Sequence, residues 1–547
     1  SSLASHQGIS STDAGEWAVP LADATADDEV LWDCRDMADI VWLSANDSSS
    51  SSNSSASPGP PSLEEAKDLA DFVISVMFLT SSVVVGSFVY LVNSKNQELR
   101  AFTWSMLESA ASIFIAVMLS EAMKDLMYLI WRPRINGFVA PQLFNALFSS
   151  ALSQVATWTL VSIKGVTETG LSAKLVATRA FAGMIARQCA FAWITFWANL
   201  QLSIKEQSEY LAVRPVIPVL ATLQMGLLMA SFDRIRRCYV QQDGVVEEEE
   251  AQWIKLTLNN ETDAAGLCLS FLLSQWVRFW IGGTLPDPAG VEYAATEVVN
   301  TKGLEHTWSE VSRLFAASLL FRVLGDLTDL HHMKVVERVG ASAQYACERV
   351  LLLFNNICVK ESGWLMLFTV SWIIHKVNLV GATPMGHKRQ LTKDCVQARA
   401  IISVLCSYAA IVIIVVLGKT PLSWRGVLKK GTLQSLTITV GFAWRRCFGL
   451  CVDNVTEHVG PILFKSAGNE MQDGELMLEI LVAFMLACVL LPALHDQIAP
   501  QAILATDATV QQEMRRVTAR QSARQFPLGI ELTPAQRSVR ARASAAF

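Results

Sequence analysis

Charge is what this chain has least of. Only 17% of its 547 residues are Asp, Glu, Lys or Arg, while 52% are hydrophobic. Soluble domains carry roughly a quarter charged residues, so the deficit favours membrane embedding over an ordinary water-soluble globule. Catalytic signatures are missing as well. There is no His-Glu-x-x-His and no Gly-x-Ser-x-Gly. Gly418-Lys419-Thr420 ends like a phosphate-binding loop, but residue 413 is Ile where that motif needs its first Gly. His331 and His332 are adjacent, so on a helix they point about 100° apart and make a poor metal pair. The eleven cysteines lie mostly inside apolar runs and give no disulfide framework. Cys447-x-x-x-Cys451 with His458 is read as packing, because buried cysteine behaves as a small apolar side chain. No enzyme, no metal, no cofactor and no nucleic-acid partner is expected.

Long apolar runs are what the chain does have. Phe72–Val92, Ile401–Leu417 and Leu476–Leu494 are examples. At about 1.5 Å of rise per residue, each reaches across a hydrocarbon core roughly 30 Å thick. The expected fold is an all-α, polytopic transmembrane helix bundle of about eleven spans, with the lipid bilayer as its partner. The spans are placed at about 70–92, 101–130, 141–163, 180–204, 214–232, 264–283, 309–330, 343–374, 396–417, 432–452 and 475–496. Lys360-Glu361-Ser362-Gly363 inside the eighth predicts a break. Arg179, Arg187 and Gln188 place the fourth partly in the interface.

The domain division is 1–69 as a disordered acidic tail, 70–496 as the membrane domain and 497–547 as a basic tail. In the first 61 residues the only Lys or Arg is Arg35, and the Ser-rich run from Asn46 to Pro61 cannot bury enough surface to fold. The last 51 residues carry seven arginines against three acids, which suits an anionic lipid surface. With eleven spans the acidic tail lies outside and the basic tail inside, together with Arg234, Arg236 and Arg237. The basic stretch His375–Lys393 conflicts with that orientation. Asn46, Asn53 and Asn454 begin sequons on the outside and are glycosylation candidates. Residues 233–263 are read as a long loop with the acidic run Glu247–Glu250.

Small residues at helical spacing predict close helix packing. The lines are Ser105, Ser109, Ser112, Ala116 and Ser120; Ala182, Ala186 and Ala190; and Gly226 with Ala230. Charged residues within the spans are more telling, since each costs on the order of 3 kcal/mol at the bilayer centre. They are Glu108, Arg187, Arg278, Arg313, Arg322, Asp326, Glu348, Arg349, Arg445, Arg446 and Glu479. Arg322 and Asp326 are four apart and can pair locally. Arg278 near a span end can snorkel to the headgroups. The candidates for lining a transport path are Glu108, Arg278, Arg322, Asp326, Glu348 and Arg445. Two functions stay open: a channel or secondary transporter for an ion or small polar solute, and a structural or scaffolding membrane protein whose charges are paired.

Several stretches carry a family resemblance. They are Tyr210-Leu-Ala-Val-Arg-Pro215, Ala264 through Pro286, Glu98-Leu-Arg-Ala-Phe-Thr-Trp104, Leu405-Cys-Ser-Tyr-Ala-Ala-Ile411 and Thr437-Ile-Thr-Val-Gly-Phe-Ala-Trp444. Together they resemble a large family of uncharacterised multi-pass membrane proteins from dinoflagellate algae, over most of residues 70–496. Members often place an acidic residue after the Trp at 444, where this chain has Arg445-Arg446. The resemblance implies a membrane bundle and supplies no catalytic or binding residue. An offset of 171 also sets 264–283 against 432–452 as a weak internal repeat, an arrangement common in transporters.

Overall fold

The computed structural model describes residues 63–131, 139–164, 173–207, 216–240, 248–283, 285–286, 306–339, 341–377, 396–419, 425–464, 471–494, 498 and 500–502. The chain divides into two compact units, Ser1–Leu69 and Ala70–Phe547. Of the first, only 63–69 is described, as the opening of a helix. The sequons at Asn46 and Asn53, most of His375–Lys393 and nearly all of the basic tail lie outside the described residues.

The described residues are almost entirely helical and contain no strand. In chain order the helices are α1 Leu63–Val92, α2 Gln97–Trp131, α3 Val139–Lys164, α4 Ala173–Gln207, α5 Val216–Val240 and α6 Glu248–Gly282. They continue with α7 Trp308–Arg338, α8 Ala341–Val377, α9 Val396–Lys419, α10 Arg425–Phe464 and α11 Met471–Ala493. Each overlaps one of the eleven apolar segments. A helix is not yet a span, however. Four are long and apolar enough to cross a membrane: α5, Glu250–Gly282 of α6, Ala343–Ile374 of α8 and Arg399–Gly418 of α9. The count of about eleven spans is therefore not carried by length and composition.

Three local expectations are corrected. Residues 248–263 are no loop but the first half of α6. The acidic start of that helix suits the partial positive charge of a helix N-terminus. Asn454 lies within α10 rather than in an outside loop, and Thr456 of its sequon is buried, with its hydroxyl 3.4 Å from Glu479. α8 runs unbroken through Lys360-Glu361-Ser362-Gly363. Neighbours take up the polar groups on either side of Glu361. Lys360 reaches Asp263 at 2.5 Å, and the Ser318 hydroxyl donates to the Ser362 carbonyl at 2.9 Å.

α6, α8 and α10 form a parallel trio at the centre. Asp263 meets Lys360 near one end of the α6–α8 contact, and Arg278 meets Phe368 towards the other. Between α8 and α10 the contacts advance together, from Asn356–Gln434 to Gly363–Thr439 and Trp364–Phe442. α7 packs antiparallel on α8, with Gly325 beside Val359 and Ser318 beside Ser362. Its start is fixed by a capping box: Thr307 Oγ1 accepts from the Glu310 N–H, and the Glu310 carboxylate accepts from the Thr307 N–H.

Side chains are distributed inside out for a protein in water. Leu223 and Leu227 on α5, Leu319 and Val323 on α7, and Phe484 and Val489 on α11 are exposed. Arg236, Arg278, Lys360 and Glu361 are buried. Of the small-residue lines, Ala182, Ala186 and Ala190 are buried, as are Ser112, Ala116 and Ser120. Gly226 and Ala230 face outward, so that pair makes no close packing.

Candidate functional site

α6 places two acids, Glu261 and Asp263, in the middle of the bundle. Two positions apart on a helix, they point about 200° apart and serve separate clusters.

Glu261 is gripped from three helices. Arg236 of α5, 2% exposed, pairs with both carboxylate oxygens, its second nitrogen lying 3.0 Å from Oε2. Gln154 of α3 donates to Oε1 at 2.9 Å, and its own amide oxygen accepts from Arg236 at 3.1 Å. Arg349 of α8 stands 3.5 Å from Oε2. Asp233, 3.7 Å from Arg236, links the cluster to Arg237 at 2.7 Å. A fork-shaped guanidinium matches a carboxylate bidentately, which fixes the α5–α6 register as well as the charge. Asp263 binds Lys360 of α8 at 2.5 Å and Arg187 of α4 at 3.5 Å. Arg187 is thus paired inside the bundle, and Gln188 beside it is buried.

A cavity of about 40 Å³ lies against Glu261, between α3, α4, α5 and α6. Gln154, Ser150, Ser153, Thr257, Asn260 and Glu261 line its polar side, and Met225, Met229 and Phe232 of α5 its apolar side. The Ser150 hydroxyl accepts from the Trp193 indole at 2.9 Å and lies 3.3 Å from the Cys189 sulfur. The Thr257 hydroxyl and the Asn260 amide nitrogen have no hydrogen-bond partner among the described residues. Buried donors in such a state call for a guest, whether water or solute.

The six expected path residues are placed as follows. Arg322 and Asp326 pair within α7, as their spacing predicts. Arg445 pairs with Glu121 of α2. Arg278 is 2% exposed and sits 3.7 Å from the centre of the Phe368 ring, with Arg446 at 5.1 Å from the same ring; it does not snorkel. Glu108 is half-buried, with the Ser109 hydroxyl 3.1 Å from its carboxylate. Glu348 is exposed. None of the six lines the Glu261 cavity.

Sequence reasoning missed Glu261 and Asp263 because they fell in the assumed loop, and Lys360 because it marked an assumed break. A signal was available: Glu261, Asp263 and Lys360 all flank long apolar stretches at helical spacing. Among the described residues no group of three His, Cys, Asp or Glu is placed to hold a metal. The chain matches no protein-family model, no curated protein and no solved structure.

Proposed function

We propose that this chain is a multi-pass integral membrane protein whose eleven helices all cross the bilayer, and that it conducts or transports an ion or small polar solute. The Glu261 network is the closed barrier of its path. Exposed apolar stripes support crossing by helices too charged to qualify on composition. On α7, Phe315, Leu319, Val323, Leu327 and Leu330 share one exposed face, while Arg322 and Asp326 are partly sheltered. Such surface is at home against lipid and is an aggregation hazard in water. The basic tail lies along an anionic membrane face in this scheme. Loss of tail-peptide binding when acidic lipids are left out of liposomes tests that contact. The resemblance to the dinoflagellate family fits a bundle of this kind and adds no substrate.

The observation that carries transport is the cavity at Glu261 with its two unpartnered donors, inside the bundle and walled on one side by α5. That helix shows most of its apolar surface to the outside and closes the cavity with flexible methionines. A second reading, a scaffold with silent charges, draws on the pairing of Arg236, Lys360, Arg322 and Arg445 with acids. Flux of K⁺, Na⁺, Cl⁻ and H⁺ into proteoliposomes, with empty liposomes as control, separates the two. Flux changed by Glu261→Gln or Thr257→Val is the expected result. Equal, background-level flux in all three proteins would put the scaffold first.

A further inference from the structure

Glu361 sits in the middle of α8 with 0% of its surface exposed, and neither carboxyl oxygen has a hydrogen-bond partner among the described residues. Among the described residues, several charged groups of the neighbouring helices have partners of their own. Lys360 and Asp263 hold each other, Arg322 holds Asp326, and Arg278 and Arg446 lie over the Phe368 ring. Ser362, the next residue, is bonded to Ser318 of α7. Lys360, the preceding residue, points about 100° away from it, and Cys358, one turn back, is the titratable group nearest it on its own face of α8. An isolated carboxylate in such surroundings is costly enough that the group gives up its charge instead. Packing gives no reason for an acid here, since an apolar side chain of similar volume would be neutral or stabilising. An ionisable residue in that position inside a membrane marks a proton or ion pathway.

We infer that Glu361 is a proton-binding site and that the proton is the ion coupled to the transport proposed above, a reading on which the coupling, though not the binding, depends. Loading joins one proton from water to one carboxylate oxygen. Release returns it to water when the group is wetted. No electron moves.

Infrared spectroscopy of the full chain in lipid tests the site without any solute. The expected result at neutral pH is a protonated-carboxyl carbonyl band that shifts in D₂O and is absent in Glu361→Gln, a variant that melts no lower than the parent. Should Glu361→Gln fail to accumulate, Glu361→Asp must move the band. No such band in the parent, or one unchanged in both variants, overturns the site. Proteoliposomes loaded with a pH-sensitive dye then test coupling. An imposed pH gradient should drive solute or ion flux in the parent and not in Glu361→Gln. A band that depends on Glu361 with no flux under any gradient would sink the transport reading and leave the proton site standing. Flux that ignores the pH gradient in the parent overturns the coupling.

Discussion

At the residue scale, burial decides what a charge is worth, and two glutamates make the comparison. The Glu261 side chain is 8% exposed and lies between Arg236 and Arg349, so Glu261→Gln removes the carboxylate that both guanidiniums share. Breaking a buried pair by removing one partner costs about 3–5 kcal/mol. A clear fall in the melting temperature of the detergent-solubilised protein is expected. Glu348 is exposed and has no ion-pair partner among the described residues. Glu348→Gln should change stability by less than about 0.5 kcal/mol and leave flux unaltered. If the two variants melted alike, the Glu261 cluster would not be the structural centre described here.

At the element scale, helix ends and helix crossings are the sensitive points. α8 and α10 approach so closely at Gly363 that an added Cβ would lie 2.6 Å from the Ser435 carbonyl oxygen. The same crossing carries Ser435 Oγ to the Val359 carbonyl at 2.7 Å and Thr439 Oγ1 to the Gly363 carbonyl at 3.0 Å. Gly363→Ala must push two backbones apart, an overpacking that costs about 1–3 kcal/mol. Gly449 on the same α10 has nothing within 4 Å of its added Cβ. Gly449→Ala should therefore be neutral or stabilise by up to about 1 kcal/mol. Chemical unfolding of the two variants side by side checks the contrast. Thr307→Ala removes the capping box of α7 and should cost about 1 kcal/mol, seen as faster amide exchange in the first turn of that helix.

At the scale of the whole molecule, the inside-out surface makes a prediction about access. Cys488 is exposed in the middle of apolar α11, and Cys238 is exposed near the basic end of α5. In single-cysteine variants within sealed vesicles, a charged maleimide should label Cys238 from one side only. Cys488 should react with an apolar reagent and resist the charged one if, as proposed, α11 crosses the bilayer. Labelling of Cys488 by the charged reagent would place α11 in water and remove it from the spans.

The sequence by itself determined that the chain is helical and that eleven apolar segments become helices, because runs of such length can satisfy their backbone only along the helix axis. It also determined the Arg322–Asp326 pair, whose four-residue spacing is local. Tertiary structure alone decided the rest. Glu261 and Arg236 are 25 positions apart, and Glu261 and Gln154 are 107 apart, separations to which no periodicity speaks. Lys360 looked like a helix break and Asp263 like part of a loop because hydropathy counts charge as a liability. They sit inside helices because each supplies the other's counter-charge from across the bundle, and only the packing of α4, α6 and α8 brings those charges together.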